Sequence, residues 1–209
     1  MNVLRVDPLG PRPRELDPAV AWLRRGRVVA FPTETFYGLA VDPASADAVA
    51  ALFDLKGRPA DLALPLIASS RDSVEAWAGG VPALTARLAE GFWPGPLSLI
   101  VDAPALLAPG VAAADGTVAV RVPGHPVARG LAAAFGGPLT STSANRSGSK
   151  PARRVEELNS IAIDPRVLVV DGGDSPGGLA STIVDARHDA PRLLREGAVP
   201  WSRVLEFLH

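Results

Sequence analysis

Three short stretches of this chain carry the side chains that could do chemistry, and each follows an apolar or helical run. The first is Pro32-Thr33-Glu34-Thr35-Phe36-Tyr37-Gly38, where two hydroxyls, a carboxylate and a glycine emerge behind Val28-Val29-Ala30-Phe31. Proline ends a strand's hydrogen bonding, and the carboxyl edge of a sheet in α/β proteins is where ligands are held. Taken alone, the stretch would serve as well for a threonine-rich turn and helix cap. The second is Lys56-Gly57-Arg58-Pro59, at the end of a helical pattern. Two cations separated by a residue that leaves helical geometry can converge on one anion, and arginine adds a planar fork suited to phosphate or carboxylate. Basic residues at a helix end also simply favour its dipole. The third is Ser141-Thr142-Ser143-Ala144-Asn145-Arg146-Ser147-Gly148. Its hydroxyls, amide and guanidinium would cradle phosphate oxygens, and the same composition makes an ordinary polar turn.

Several familiar chemistries are excluded. No G-x-x-x-x-G-K-[ST] occurs and no G-x-G-x-x-G follows a strand, so the two usual nucleotide fingerprints are missing. No histidine is placed to be read as the base of a serine hydrolase. The chain has no cysteine, which rules out disulfides, thiolate zinc sites and thiol nucleophiles. His125, His188 and His209 lie far apart with no metal-ligand spacing, so no intrinsic metal centre is expected. With 209 residues, 47% of them hydrophobic, the chain can bury a core without dividing into two domains. Its formal net charge is -1, from 21 basic against 22 acidic residues, which argues against nucleic-acid binding through a broad positive field. Arg146, Lys150, Arg153 and Arg154 still offer a local basic patch. Charges and a proline interrupt residues 1–8 where a signal peptide would need an apolar core, and no later run approaches a membrane span. A soluble cytoplasmic protein is expected.

The elements that must position these clusters read as helices alternating with short apolar runs, the pattern of a layered α/β domain. Asp17-Pro18 supplies an N-cap and first-turn proline for a helix to about Arg25, and Gly26 stops it before a strand from Val28. A second helix is expected over 47–55, with Gly57 beyond its end. Further strands are expected over 64–68, 97–101, 118–122, 139–142, 167–171, 181–184 and 192–194, and helices over 82–90, 126–135 and 200–208. The segments 88–101 and 131–142 each read as a helix end, glycine, then a strand, one unit used twice. Only the glycine-rich run 171–178 looks loop-like, suited to close backbone approach to a ligand or to a flexible surface loop.

The clusters and their neighbours together resemble the YrdC/TsaC family, the L-threonylcarbamoyladenylate synthases. The matching pieces, in family order, are Pro32-Thr33-Glu34-Thr35-Phe36-Tyr37-Gly38-Leu39, Lys56-Gly57-Arg58-Pro59, Trp93-Pro94-Gly95-Pro96-Leu97, Val120-Arg121-Val122-Pro123 with His125-Pro126, Ser143-Ala144-Asn145 with Ser147-Gly148, Ser181-Thr182-Ile183-Val184-Asp185 and Leu194-Arg195-Glu196-Gly197. Each is weak alone; their ordered set, over about 16–199, is specific.

The resemblance implies a single α/β domain over 1–209, a twisted, open, mixed β-sheet flanked by helices of YrdC/RibB-like type, with no additional C-terminal domain. It implies an enzyme that joins L-threonine, bicarbonate or CO2, and ATP into threonylcarbamoyl-AMP and pyrophosphate, for threonylcarbamoyladenosine in tRNA. By the family pattern Lys56 and Arg58 would be the catalytic cations, shared with ATP binding. Ser143, Asn145 and Arg195 would also hold the nucleotide, and Thr33, Arg121, Ser141 and Ser181 the threonine. Mg2+ would enter with ATP. Possible partners are tRNA or a downstream threonylcarbamoyl transferase, and no membrane. Glu34, at first a candidate base, is freed by the implied carbamate chemistry to orient neighbouring cations or the loop. The chain departs from the family at Leu62 and Ile67, near which many members place polar threonine contacts. Other readings are an RNA-binding module and a carbamoyl-transferring maturation factor, although the latter's acylphosphatase-like and zinc-finger segments are missing.

Overall fold

The strand β2 (Val28–Phe31) shows how the core is built. It is apolar and buried at every position, and alternation along its pleat sends Val28 and Ala30 into one core cluster and Val29 and Phe31 into another. A computed structural model describes residues 1–57 and 63–209. Around β2, one sheet takes the order β1 (Asn2–Arg5), β9 (Val167–Asp171), β2, β3 (Gly38–Ala40) and β8 (Thr142–Ser143); the first three are parallel, and β3 and β8 are antiparallel additions. A second sheet has the order β11 (Arg192–Arg195), β10 (Thr182–Asp185), β5 (Leu97–Asp102), β6 (Thr117–Arg121), β4 (Leu66–Ile67) and β7 (Leu139–Thr140), again with mixed directions.

The helices cover outer faces. α1 (Asp17–Arg24) and α5 (Pro126–Phe135) pack Leu16, Val20, Leu23, Val127 and Leu131 against Val29, Phe31 and Val170. α2 (Ala46–Lys56) sits on the cluster containing Val28, Ala30, Leu39 and Val169. α3 (Arg71–Ala78) follows β4. α4 (Ala83–Phe92) and α7 (Trp201–Leu208) close a third cluster over Leu97, Leu99 and Val184, where Phe92 meets Phe207 edge-to-face. The short α6 (Ser160–Ile163) precedes β9. None of the described helices is long and apolar enough to cross a membrane.

The mixed α/β architecture with flanking helices is the expected one, and the strands fall into two sheets where one was expected. The division occurs at 139–142, read from sequence as a single strand. Thr140 pairs with Leu66 in one sheet and Thr142 with Leu39 in the other, so the chain bends at Ser141, whose N–H goes to Pro65 O at 2.8 Å. The Thr140 hydroxyl accepts from Val41 N at 2.9 Å and its N–H donates to Val41 O at 3.2 Å, tying the sheets at this step. Element ends differ elsewhere by a residue or two. Asp17 lies inside the first turn of α1, with Leu16 at the cap, and Ser45 caps α2 by accepting from Ala48 N. Strands β1 and β3 were not anticipated, because each is short and β1 is largely exposed.

Behind β11 the chain packs tightly at Gly197. Its N–H donates to the Thr182 hydroxyl at 2.9 Å, and a Cβ there would lie 2.1 Å from Ala180 O and 2.8 Å from the Ser181 carbonyl. Those are backbone atoms that cannot swing aside. Gly197→Ala is expected to lower stability in urea denaturation by about 1–3 kcal/mol or more. Gly10→Ala, where a Cβ meets nothing within 4 Å, should change it by less than about 0.5 kcal/mol.

Candidate active site

Beyond β2 the chain reverses into β3 through a turn that the Thr33 hydroxyl organises. Its oxygen accepts from Thr35 N at 3.1 Å and Phe36 N at 3.3 Å, and its proton goes to Phe36 O at 2.7 Å. The two threonine hydroxyls also lie 3.1 Å apart, a contact in which either can be the donor. Gly38 opens β3, where a Cβ would sit 3.0 Å from the Phe31 ring and 3.3 Å from Ser141 Oγ. The glycine-rich run 171–178 is strapped to this turn. Tyr37 Oη donates to Gly173 O at 2.8 Å, Thr33 N donates to Ser175 Oγ at 3.3 Å, and Gly177 N donates to Thr35 O at 2.7 Å. Ser175 is 1% exposed, so this part of the run is structural. Burial, with nearby carboxylates, holds the Tyr37 phenol protonated well above the usual tyrosine range.

These elements border a cavity of about 410 Å³ that draws on both sheets. Thr33, Thr35, Ser141 and Ser143 come from the β2–β3 and β7–β8 turns; Ser98, Arg121, Ser181 and Arg195 come from the second sheet; Ile100, Ala119 and Ile183 add an apolar patch. No aspartate or glutamate lies among its described lining residues, whereas two arginines do. Arg121 is 6% exposed and donates from Nη1 to Glu34 Oε1 at 2.5 Å. Burial pulls this guanidinium below the ordinary arginine range, and Glu34 opposes the shift. Arg195 is steered by Ser181, donating from Nη2 to the carbonyl at 2.7 Å and to the hydroxyl at 3.2 Å, while Ser98 Oγ donates to Ser181 Oγ at 3.1 Å. Burial and then repulsion from Arg121 lower the Arg195 pKa. Two partly desolvated cations that repel each other in a pocket without carboxylates create a place for anions.

The second and third sequence clusters are joined directly. α2 ends at Lys56 with Gly57 in left-handed conformation, φ 58°. The Lys56 ammonium donates to the carbonyls of Ser143 and Asn145, the latter at 2.9 Å, and Ser147 N donates to Lys56 O at 2.9 Å. Lys56 is 3% exposed and lies behind Ser143, outside the described lining, so much of its charge holds the 143–147 segment in place. Asn145 is absent from that lining too. Its Oδ1 accepts from Ser143 Oγ, and its Nδ2 donates to Arg146 O at 3.0 Å and Ser149 O at 2.6 Å. Arg58 and Leu62 lie outside the described residues. Ile67 is fully buried in the α1/α5 cluster, on the opposite side of β4 from cavity-lining Leu66. It therefore occupies a core position and replaces no polar contact in the cavity. His125 caps α5 by accepting from Val127 N at 3.2 Å, and burial lowers its pKa. Among the described residues no group of three His, Asp or Glu is arranged to hold a metal.

Sequence reasoning thus named Thr33, Arg121, Ser141, Ser143, Ser181 and Arg195, which line one cavity. It placed Thr35 in the first stretch without assigning it a role, and it missed Ser98 and the apolar patch. The available signal was Ser98 itself, a polar residue inside the apolar run Leu97–Asp102. Lys56→Met would strip the ammonium from two carbonyls while keeping the stem. It is expected to cost about 2–3 kcal/mol in chemical denaturation and to speed amide exchange across 143–149. A role confined to ligand binding would leave both unchanged.

The sequence profile of the Sua5/YciO/YrdC family, described as telomere recombination, matches residues 21–197. A threonylcarbamoyl-AMP synthase of Halorhodospira halophila is 46% identical over 151 residues, 72% of this chain and 79% of that protein. One from Bacillus subtilis is 39% identical over 195 residues, 92% of this chain and 56% of its own length. Among solved structures, Pyrococcus abyssi Sua5 complexed with L-threonine superposes with a TM-score of 0.90 at 31% identity, over 100% of this chain and 61% of that one. Escherichia coli YciO does so with a TM-score of 0.83 at 25% identity, over 95% and 97% of the two chains. This chain therefore spans little more than half of the Bacillus relative and about three fifths of the Pyrococcus structure.

Proposed function

Because this chain belongs to the Sua5/YciO/YrdC family, we propose that it is an L-threonylcarbamoyladenylate synthase acting in the cytoplasm, in the service of tRNA threonylcarbamoyladenosine. The observation that carries the reading is the cavity lined by Arg121, Arg195 and a set of hydroxyls with no described carboxylate. Its substrates fit that chemistry: ATP, threonine's carboxylate and a carbamate are all anionic. The likeness to a threonine-bound relative supports the amino acid, and the family of synthases supports an enzyme.

The reaction is a nucleotidyl transfer. Threonine's amine adds to CO2 and loses a proton, giving a carbamate. A carbamate oxygen then bonds to the α-phosphorus of ATP as the bond to the β-phosphate bridging oxygen breaks, and pyrophosphate leaves with that electron pair. No protein nucleophile enters, so catalysis rests on positioning and charge neutralisation. Arg121 clamps the threonine carboxylate with its fork, Ser181 and Ser141 flank it, and the Thr33 and Thr35 turn faces the amine. Arg195 and Ser143 face the nucleotide, Lys56 and Asn145 shape the segment that presents Ser143, and Arg58 supplies a further cation for the phosphates by the family pattern. Magnesium arrives as the ATP complex, held by the phosphates, since the described lining offers it no carboxylate.

The test is purified protein with ATP, threonine and bicarbonate. Pyrophosphate release that requires all three is expected; tight, salt-sensitive RNA binding without it would favour the RNA-binding reading. Arg121→Lys is expected to raise the threonine KM about tenfold or more while changing the ATP KM little, because an ammonium cannot reproduce a bidentate clamp. Steady-state kinetics with each substrate varied in turn would reveal a misassigned clamp as an unchanged threonine KM.

A further inference from the structure

Among the described residues Glu34 is the one acid in contact with Arg121, and its placement gives it a task. Arg121 lines the cavity and Glu34 does not. The carboxylate stands behind the guanidinium, its side chain 17% exposed, and is the only acidic partner of Arg121 among the described residues. The Gly124 backbone runs alongside it. A Cβ on Gly124 would lie 3.4 Å from both Glu34 Cβ and Cγ, and the 123–124 turn is itself pinned by Arg129 Nη1, which donates to Pro123 O at 2.8 Å and Gly124 O at 2.7 Å. Only Oε1 meets the arginine; Oε2 is buried with no hydrogen-bond partner among the described residues.

An arginine carries five N–H donors, and a fork-to-fork carboxylate pair would consume two along one edge. The end-on contact through a single Nη1 anchors the guanidinium while leaving its other donors uncommitted among the described residues. A buried, unpartnered carboxylate oxygen is costly. A glutamine would fill the same space without that charge, so what the carboxylate adds is compensation for Arg121.

We infer that Glu34 is a positioning residue for the amino-acid substrate: it holds Arg121 from behind, at one corner, so that the free edge of the fork faces a ligand carboxylate in the cavity. It is not a general base, because Arg121 stands between it and the cavity. The inference rests on the synthase reading for the identity of the ligand, but not for the geometry of the pair.

Kinetics and an NMR observation separate the two. Glu34→Ala is expected to raise the threonine KM about tenfold, Glu34→Gln about threefold, with the ATP KM within about twofold of wild type in both. The preference for L-threonine over L-threoninamide, which lacks the carboxylate charge, should shrink by a similar factor, a change that general loosening would not single out. In an Arg121→Ala background, Glu34→Ala should add little to the threonine KM, since the two act as a unit. Unchanged threonine KM in a folded Glu34→Ala protein would overturn the role, as would a fall in kcat alone with loss of the acidic limb of the pH profile. Should Glu34→Ala fail to fold, Glu34→Gln carries the same comparison. If wild-type protein shows no threonine dependence, the synthase reading fails. The positioning role is then decided by the Arg121 Nη–H resonances, assigned by their absence in Arg121→Lys. Resolved Nη–H signals in wild type that collapse to one averaged signal in Glu34→Ala support it; identical signals refute it.

Discussion

A guanidinium taken out of water needs a counter-charge, and the way Arg121 obtains one organises this molecule. Arg121 ends β6 in one sheet, and Glu34 sits in the turn between β2 and β3 of the other, 87 residues away in sequence. Their ion pair spans the two sheets. On another side the sheets are tied by Thr140 and Val41 and by the bend at Ser141. The cavity borders both ties, and hydroxyls and two arginines line part of it where a core would be apolar throughout. A buried pair of this kind is weak evidence for net stability, since desolvation offsets much of the attraction. Its value here is directional: it fixes where a cation faces.

The same economy governs the hydroxyls. Thr33, Thr35, Ser98, Ser141, Ser143 and Ser181 all line the cavity, yet several are already hydrogen-bonded within the protein. Thr33 spends its proton and lone pairs on the turn that carries it, Ser143 donates to Asn145, and Ser181 supports Arg195. Such bonds prevent the side chains from collapsing on one another in an empty pocket and leave specific lone pairs or protons pointing inward. Thr35 shows the result: its hydroxyl touches that of Thr33 at 3.1 Å and also lines the cavity, where a hydroxyl can meet an ammonium or amine. Lys56 shows the converse, a cation absorbed into holding the backbone carbonyls of Ser143 and Asn145.

Much of this was legible in the sequence. Apolar runs gave most strands to within a residue or two, and prolines and glycines placed the ends of α1, α2 and α5 because those residues have few alternatives. The chemistry-bearing stretches were visible for the same reason: hydroxyls, cations and glycines directly after an apolar run have few purely structural uses when several such stretches recur. What remained hidden was non-local. The stretch 139–142 reads as one strand, since nothing in its own alternation says that Thr140 and Thr142 will find partners in different sheets. Strand β1 has little apolar signal because its stability comes from pairing with β9.

The sequence by itself determined which residues could carry the chemistry, and that they stand at the ends of strands and helices. Residue type, spacing and backbone preference are local properties. Only the tertiary structure decided which of them face the cavity. It turned Ile67 into the core and Leu66 toward the pocket, buried Lys56 against carbonyls, fastened the glycine-rich run through Ser175, and put Glu34 behind Arg121 rather than beside a substrate. The reason is physical. Alternation assigns a side chain to one face or the other, but whether that face is sealed by a helix or left open to a ligand depends on elements tens of residues away. A charge likewise acquires its role only from the partner that folding brings to it.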